Sequence, residues 1–290
     1  MPVIAVVNRK GGSGKSTLAT HLAAWCAVTG RSAMLGDVDL QGSSASWLKR
    51  RQSNHEARGR GIVGWSADPR RVMRPPAGVT HVVLDTPGGL RGLDLSKVVM
   101  ASDVLLLPVC HSLFDRESAA DCLAELRQIS RVAAGRCRIG VVGMRLDART
   151  RAEDALRAWA AELDVPFVGA LRETQNYVRC AERGLTVFDL PAAKVQADLD
   201  QWQPILEWLQ PAMNLSVRPA VGEPAERTGS AETERMPPPR REPPRRPRFS
   251  PSTAQVPLDI LQAPRQRGWL ARLAAWFGHS ASRRRPLRGT

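Results

Sequence analysis

The sequence predicts an α/β domain over residues 1–210, built on a doubly wound and mostly parallel sheet, followed by a basic tail. Three observations carry that expectation. Short apolar runs alternate with longer amphipathic stretches through the first 210 residues. A loop rich in glycine and lysine joins the first run to the first stretch. The composition then changes abruptly beyond Leu209. Such alternation marks parallel strands connected by covering helices.

Taken in order, the runs at 3–7, 33–35, 81–84, 104–109, 139–144 and 167–171 read as buried strands; strands covered on both faces need no polar alternation. Between them, 16–28, 118–132 and 152–163 read as helices. The stretch 196–209 closes the domain, with Leu199, Trp202, Ile205, Leu206 and Leu209 near helical spacing. Residues 211–264 are rich in Pro, Arg and Glu and bury too little apolar area to offset their ordering entropy, so they read as a disordered linker. Within 265–290, a basic tail, Trp269, Leu270, Leu273, Trp276 and Phe277 would share one face of a short amphipathic helix.

The 290 residues carry a formal net charge of +14, which calls for an anionic partner, either nucleic acid or an acidic membrane surface. Fifteen arginines against six acidic residues give 211–290 about +9, leaving about +5 (14 − 9) for the body. Five cysteines without a CxxC pair fit reduced thiols in a cytoplasm better than a disulfide framework or a zinc site. The first apolar run is too short, and lacks the basic flank, for a signal peptide. No run approaches the ~18 apolar residues of a spanning helix. The expectation is a cytoplasmic protein, peripheral to a membrane at most.

The strongest chemical signal is Lys10-Gly11-Gly12-Ser13-Gly14-Lys15-Ser16-Thr17, placed between a strand-like and a helix-like run. Glycines let successive N–H groups face a phosphate, with the positive end of the next helix behind them. Lys15 would reach the β- and γ-phosphates, and the Ser16 hydroxyl would ligate Mg²⁺. The fold is thereby expected to be of P-loop NTPase type. The common form of this loop would begin with a glycine at position 9, where Arg9 stands, followed by a second lysine, Lys10. Asp37-Val38-Asp39-Leu40-Gln41-Gly42 follows the second run. His81-Val82-Val83-Leu84-Asp85 then ends an apolar strand in an acid, and Thr86, Pro87, Gly88 and Gly89 read as a hinged switch.

These motifs, in this order and over about residues 1–209, resemble the ParA/MinD family of deviant Walker ATPases, closest to its single-domain partition and positioning members. The resemblance implies ATP and Mg²⁺ as ligands and slow, switch-like ATP hydrolysis. ATP binding would close a homodimer in which Lys10 reaches the partner's nucleotide. Gly11 to Thr17 would cradle the phosphates. Asp37 would sit near the Mg²⁺ held by Ser16 and Asp85, and Asp39 would orient the attacking water. It further implies non-specific DNA binding, for which Arg172, Arg179 and Arg183, with Lys194 nearby, are the candidates, and a ParB-like or other adaptor that stimulates hydrolysis. The protein would then be associated with the nucleoid. Leu40 stands where the family places proline, and Met144-Arg145 where it often places asparagine.

Two other readings stay open. MinD-like members end in an amphipathic helix that lies on the inner membrane, and the tail helix could serve there, dock on a partner protein, fold back on the domain, assist DNA binding or be inert. A small-molecule enzyme resembling dethiobiotin synthetase would share the loop but normally lacks an equivalent of Lys10. Iron–sulfur members need paired cysteines and tyrosine-kinase members need tyrosine-rich tails, neither of which is present.

Overall fold

A computed structural model describes residues 1–66, 75–147 and 149–214. The elements are β1 (Val3–Val6), α1 (Lys15–Val28), β2 (Ala33–Asp37), α2 (Ser43–Gln52), β3 (Val63–Ser66), β4 (His81–Asp85), α3 (Gly92–Ala101), β5 (Val104–Val109), α4 (Leu113–Gln128), α5 (Ser130–Ala133), β6 (Arg138–Leu146), α6 (Ala152–Glu162), β7 (Phe167–Arg172), α7 (Gln175–Glu182) and α8 (Ala192–Met213). Seven strands lie in the order β3-β2-β4-β1-β5-β6-β7, and every pairing is parallel. The chain leaves β1 toward one edge and later returns to lay β5 on its other side. β1 is therefore the switch point of the sheet, where the crevice beyond the strand ends receives ligands.

Each face of the sheet is closed by its own apolar cluster. One joins α1, Trp47 and Leu48 of α2, and Trp202, Ile205 and Leu209 of α8. The other joins Leu95, Val98 and Val99 of α3, Leu123 and Leu126 of α4, and Leu156 and Ala160 of α6. The central strands β1, β4 and β5 are buried along their whole length, which is why they read as continuous apolar runs.

All six expected strands are present; β3, α2, α3 and α7 are additional. β3 is a four-residue edge strand carrying Gly64, where an added Cβ would come within 2.6 Å of Leu48. α2 buries only Ser44, Trp47, Leu48 and Arg51, too few apolar positions for a visible period. α4 begins at Leu113, earlier than the expected 118, because Ser112 caps it by accepting the Asp115 N–H at 3.2 Å. The expected linker start at Pro211 is corrected: α8 runs through Pro211 to Met213. Ala212 and Met213 are buried, and the Met213 carbonyl lies 3.1 Å from His81 Nε2. The rest of the linker and the tail helix of Trp269, Leu270, Leu273, Trp276 and Phe277 lie outside the described residues.

Candidate functional site

The loop between β1 and α1 lies at the sheet's switch point. Gly12 and Gly14 hold φ of +75° and +93°, a region costly for any residue with a Cβ. A Cβ on Gly11 or Gly12 would meet nothing within 4 Å, whereas one on Gly14 would lie 2.6 Å from Met144 Cε. Lys15 is the first residue of α1 and is buried. Its Nζ donates to the Lys10 carbonyl at 2.9 Å, curling the loop around it. Asn8 shapes the entry, donating to the Pro108 carbonyl at 2.7 Å and accepting the Lys10 N–H at 3.0 Å.

Register brings the acids together. Asp37 ends β2 directly opposite Asp85 at the end of β4, and Asp85 is opposite Val6 of β1. Asp37 accepts the N–H of Asp39 at 3.0 Å and that of Ala45 at 2.8 Å, while Ser44 donates its hydroxyl to Asp85 Oδ2. The first turn of α2 is thus bolted to both carboxylates. Asp39 itself accepts the Gln41 N–H at 3.0 Å. Burial raises the Asp37 carboxyl above its ordinary range, against the amides of Ala45 and Asp39. Burial also pushes Asp85 up to about 6, against the hydroxyls of Ser44 and Ser16. The Lys15 ammonium is pulled down by burial, against Asp85 and Asp39.

These three groups are each strained toward neutrality, and an anion beside Lys15 with a cation beside the two carboxylates would relieve all of them. Two buried atoms point the same way: Ser13 Oγ and Asp85 Oδ1 have no hydrogen-bond partner. Hydroxyl and carboxylate oxygens suit a hard divalent cation such as Mg²⁺, for which Ser16, Asp37 and Asp85 are the donors. The site therefore fits a polyphosphate with its metal.

The switch residues sit against the loop. Thr86 donates to the Val6 carbonyl at 2.7 Å and is buried, which anchors the segment's start. Pro87 leads to Gly88, where an added Cβ would lie 3.3 Å from the Gly11 backbone, and to Gly89, whose N–H donates to the Arg9 carbonyl at 2.6 Å. Any movement of 86–89 is felt directly by the phosphate loop. Beside it opens a cleft of about 740 Å³, of the size that takes small molecules. Thr17, Arg50, Met144, Arg145, Thr174 and Tyr177 are among its lining residues. Arg145 has a left-handed φ of 54°, uncommon outside glycine and often found at functional sites.

The cations proposed for DNA do not form one free patch. Arg172 donates from Nε to the fully buried Asp198 at 2.7 Å, which gives it a packing role. Arg183 pairs with Glu56 at 2.6 Å. Arg179 on α7 and Lys194 on α8 are exposed. Sequence reasoning missed Asn8 and Ser44; no local pattern marks them, since Asn8 gains its role from Pro108 on β5 and Ser44 from Asp85 on β4.

The family model described as the CobQ/CobB/MinD/ParA nucleotide binding domain matches residues 4–187. Two relatives are carboxysome-distribution proteins A. That of Gloeobacter kilaueensis is 39% identical over 112 residues, 37% of this chain and 48% of that relative, so this match spans about half the relative's length. That of Halothiobacillus neapolitanus is 25% identical over 212 residues, 72% of this chain and 96% of that protein. The chromosome-partitioning ATPase Soj of Thermus thermophilus is 30% identical over 193 residues, 55% of this chain and 77% of that one. Among solved structures, the ATP complex of Cyanothece McdA aligns with a TM-score of 0.56 at 16% identity, over 75% of this chain and 98% of that one. The chain belongs to the CobQ/CobB/MinD/ParA nucleotide-binding family and is an ATPase of ParA/MinD type.

Proposed function

We propose that this ATPase is a positioning switch: ATP with Mg²⁺ closes a homodimer, the dimer holds DNA without sequence preference, and an adaptor protein stimulates hydrolysis and release. One observation carries the reading. The two lysines of the loop point to different places. Lys15 is buried within its own loop, whereas the Lys10 side chain is 39% exposed and its ammonium is paired outside the loop, with Asp115. A second cation held outside its own loop suits a partner's nucleotide, where each added positive charge offsets the triphosphate.

The rim around the loop supports a second copy there. Leu40 after β2, Leu93 after β4, and Leu113 and Phe114 after β5 are all strongly exposed, and exposed apolar groups gathered around one site suit an interface. The relatives' names divide between carboxysome distribution and chromosome partitioning, so the cargo class is a large assembly moved along the nucleoid. Of the DNA candidates, Arg179, Arg183 and Lys194 are the ones we assign to phosphate contact, with the protein in the cytoplasm at the nucleoid.

The test is sedimentation velocity alongside retention on non-specific duplex DNA, with ATP, ADP or no nucleotide. The full chain is expected to dimerise and hold DNA only with ATP, and Lys10→Ala to lose both while still binding nucleotide. Neutralising Arg179, Arg183 and Lys194 together should lower the slope of log affinity against log salt by about 2.7 per protomer. DNA retention indifferent to nucleotide, or a chain that stays monomeric in ATP, would refute the switch.

A further inference from the structure

We propose that Asp115 is a positioning residue for Lys10: it holds the ammonium within its own protomer until a second copy, docking on the first turn of α4, releases it. The inference rests on the dimer reading above and supplies its gate. Lys10 Nζ lies 2.5 Å from Asp115 Oδ1, and the other carboxylate oxygen takes the hydroxyl of Ser112. Ser112 caps α4, so the carboxylate stands in the first turn of a 16-residue helix, where the helix dipole favours a negative charge. The hydrogen bonds from Lys10 and Ser112 outweigh burial and keep the Asp115 carboxyl below its ordinary range. Ser112 and the helix hold the carboxylate independently of Lys10, so Lys10 is the member of the pair that can leave.

The neighbouring residue is held in a different way. Arg9 binds Glu125, further along α4, and lies 4.0 Å from Asp121. Glu125 Oε1 also accepts the Gly92 N–H, at 2.8 Å, at the start of α3. The Gly89 N–H then closes on the Arg9 carbonyl. Position 9 is therefore clamped by α4 and by the switch segment together, while the Lys10 side chain is held by its half-exposed pair with Asp115. Leu113 and Phe114, 57% and 73% exposed, immediately precede Asp115 on the same turn. A protomer that covers these two side chains must bear on the turn that carries Asp115, so burial of apolar rim and loss of the Lys10–Asp115 pair are mechanically linked.

The comparison is between the full chain, Asp115→Asn, Asp115→Glu and the double variant Lys10→Ala/Asp115→Asn. Each is titrated in protomer concentration with a non-hydrolysable ATP analogue and Mg²⁺, and dimer is read by sedimentation velocity. A partly exposed pair is worth roughly two- to fivefold, and a dimer releases two. D115N should therefore dimerise at about four- to twenty-five-fold lower concentration, D115E should behave as the full chain, and the double variant should match Lys10→Ala. In the nucleotide-free chain, acylation of the Lys10 amine, read by mass spectrometry, should be faster in D115N. If D115N unfolds, Asp115→Ser, which keeps a first-turn hydrogen-bonding group, takes its place.

A full chain that dimerises while D115N is no different refutes the latch and leaves the dimer standing. So does a D115N gain that survives in the Lys10→Ala background, or unchanged acylation. A full chain that stays monomeric at every concentration refutes the dimer and the latch together.

Discussion

His21 makes the stability of this domain fall in acid, by an amount the structure sets. It lies wholly buried on α1, stacked on Trp202 with ring centroids 5.4 Å apart and planes 7° from parallel. Its Nδ1 donates to the Thr17 carbonyl at 2.8 Å and its Nε2 accepts the Val187 N–H at 3.3 Å. That arrangement requires the neutral ring, and burial pulls its pKa from 6.5 to about 4. In the unfolded chain the ring charges as pH falls through 6.5, whereas in the fold it stays neutral to about pH 4. Stability is therefore complete above pH 6.5 and is lost between 6.5 and 4: about 2 kcal/mol by pH 5 and about 3 kcal/mol by pH 4.

Asp85 acts with the opposite sign. Its folded pKa of about 6 lies above its ordinary 3.8, so the fold gains from protonation as pH falls. The measurement that separates the two is urea unfolding of the full chain and of His21→Gln from pH 7.5 to 4, since the Asp85 contribution cancels in the difference. The variant should be less stable by roughly 1–3 kcal/mol at pH 7, from lost hydrogen bonding and stacking, and by pH 4 the difference should move about 3 kcal/mol in the variant's favour, closing or reversing the gap. A gap of the same size at both pH values would mean that the ring is not held neutral, and the argument from its hydrogen bonds would fail.

Two further perturbations follow from geometry. Gly14→Ala combines a left-handed backbone with a Cβ placed 2.6 Å from Met144 Cε. It should weaken ATP binding at least about tenfold, and adding Met144→Ala should leave only the backbone cost of about 1–2 kcal/mol; nucleotide titration checks both, and a G14A chain that binds as the parent would contradict the contact. Arg51 makes two bonds to Asp189, at 2.8 and 2.9 Å, with both side chains buried. Arg51→Met strands that carboxylate and should cost about 3–5 kcal/mol in urea unfolding at neutral pH; a loss under about 1 kcal/mol would show that solvent reaches the pair.

The legible part of this protein was local. β1, β4 and β5 are read from runs buried on both faces. The phosphate loop is read from glycines whose backbone needs are met within a few residues, and Asp85 from its place at the end of a strand. Elements whose stability comes from their neighbours were not legible. α2 shows little amphipathic period because its buried positions include Ser44 and Arg51, and Arg51 is tolerated only because Asp189 lies across from it. β3 carries Gly64 where Leu48 leaves no room for a Cβ. Pro211 reads as a helix end, yet the helix continues because Ala212 and Met213 find a core to enter.

By itself, the sequence determined the fold class, the order of the motifs and the chemistry of the loop, because backbone conformation and hydrophobic period are encoded within a few residues of each other. The tertiary structure alone decided which charges are committed. It set Asp37 beside Asp85 through strand register, spent Arg172 on the buried Asp198, and gave Lys10 to Asp115. A charge's role depends on what lies within a few ångströms of it, and those neighbours come from parts of the chain that only folding brings together.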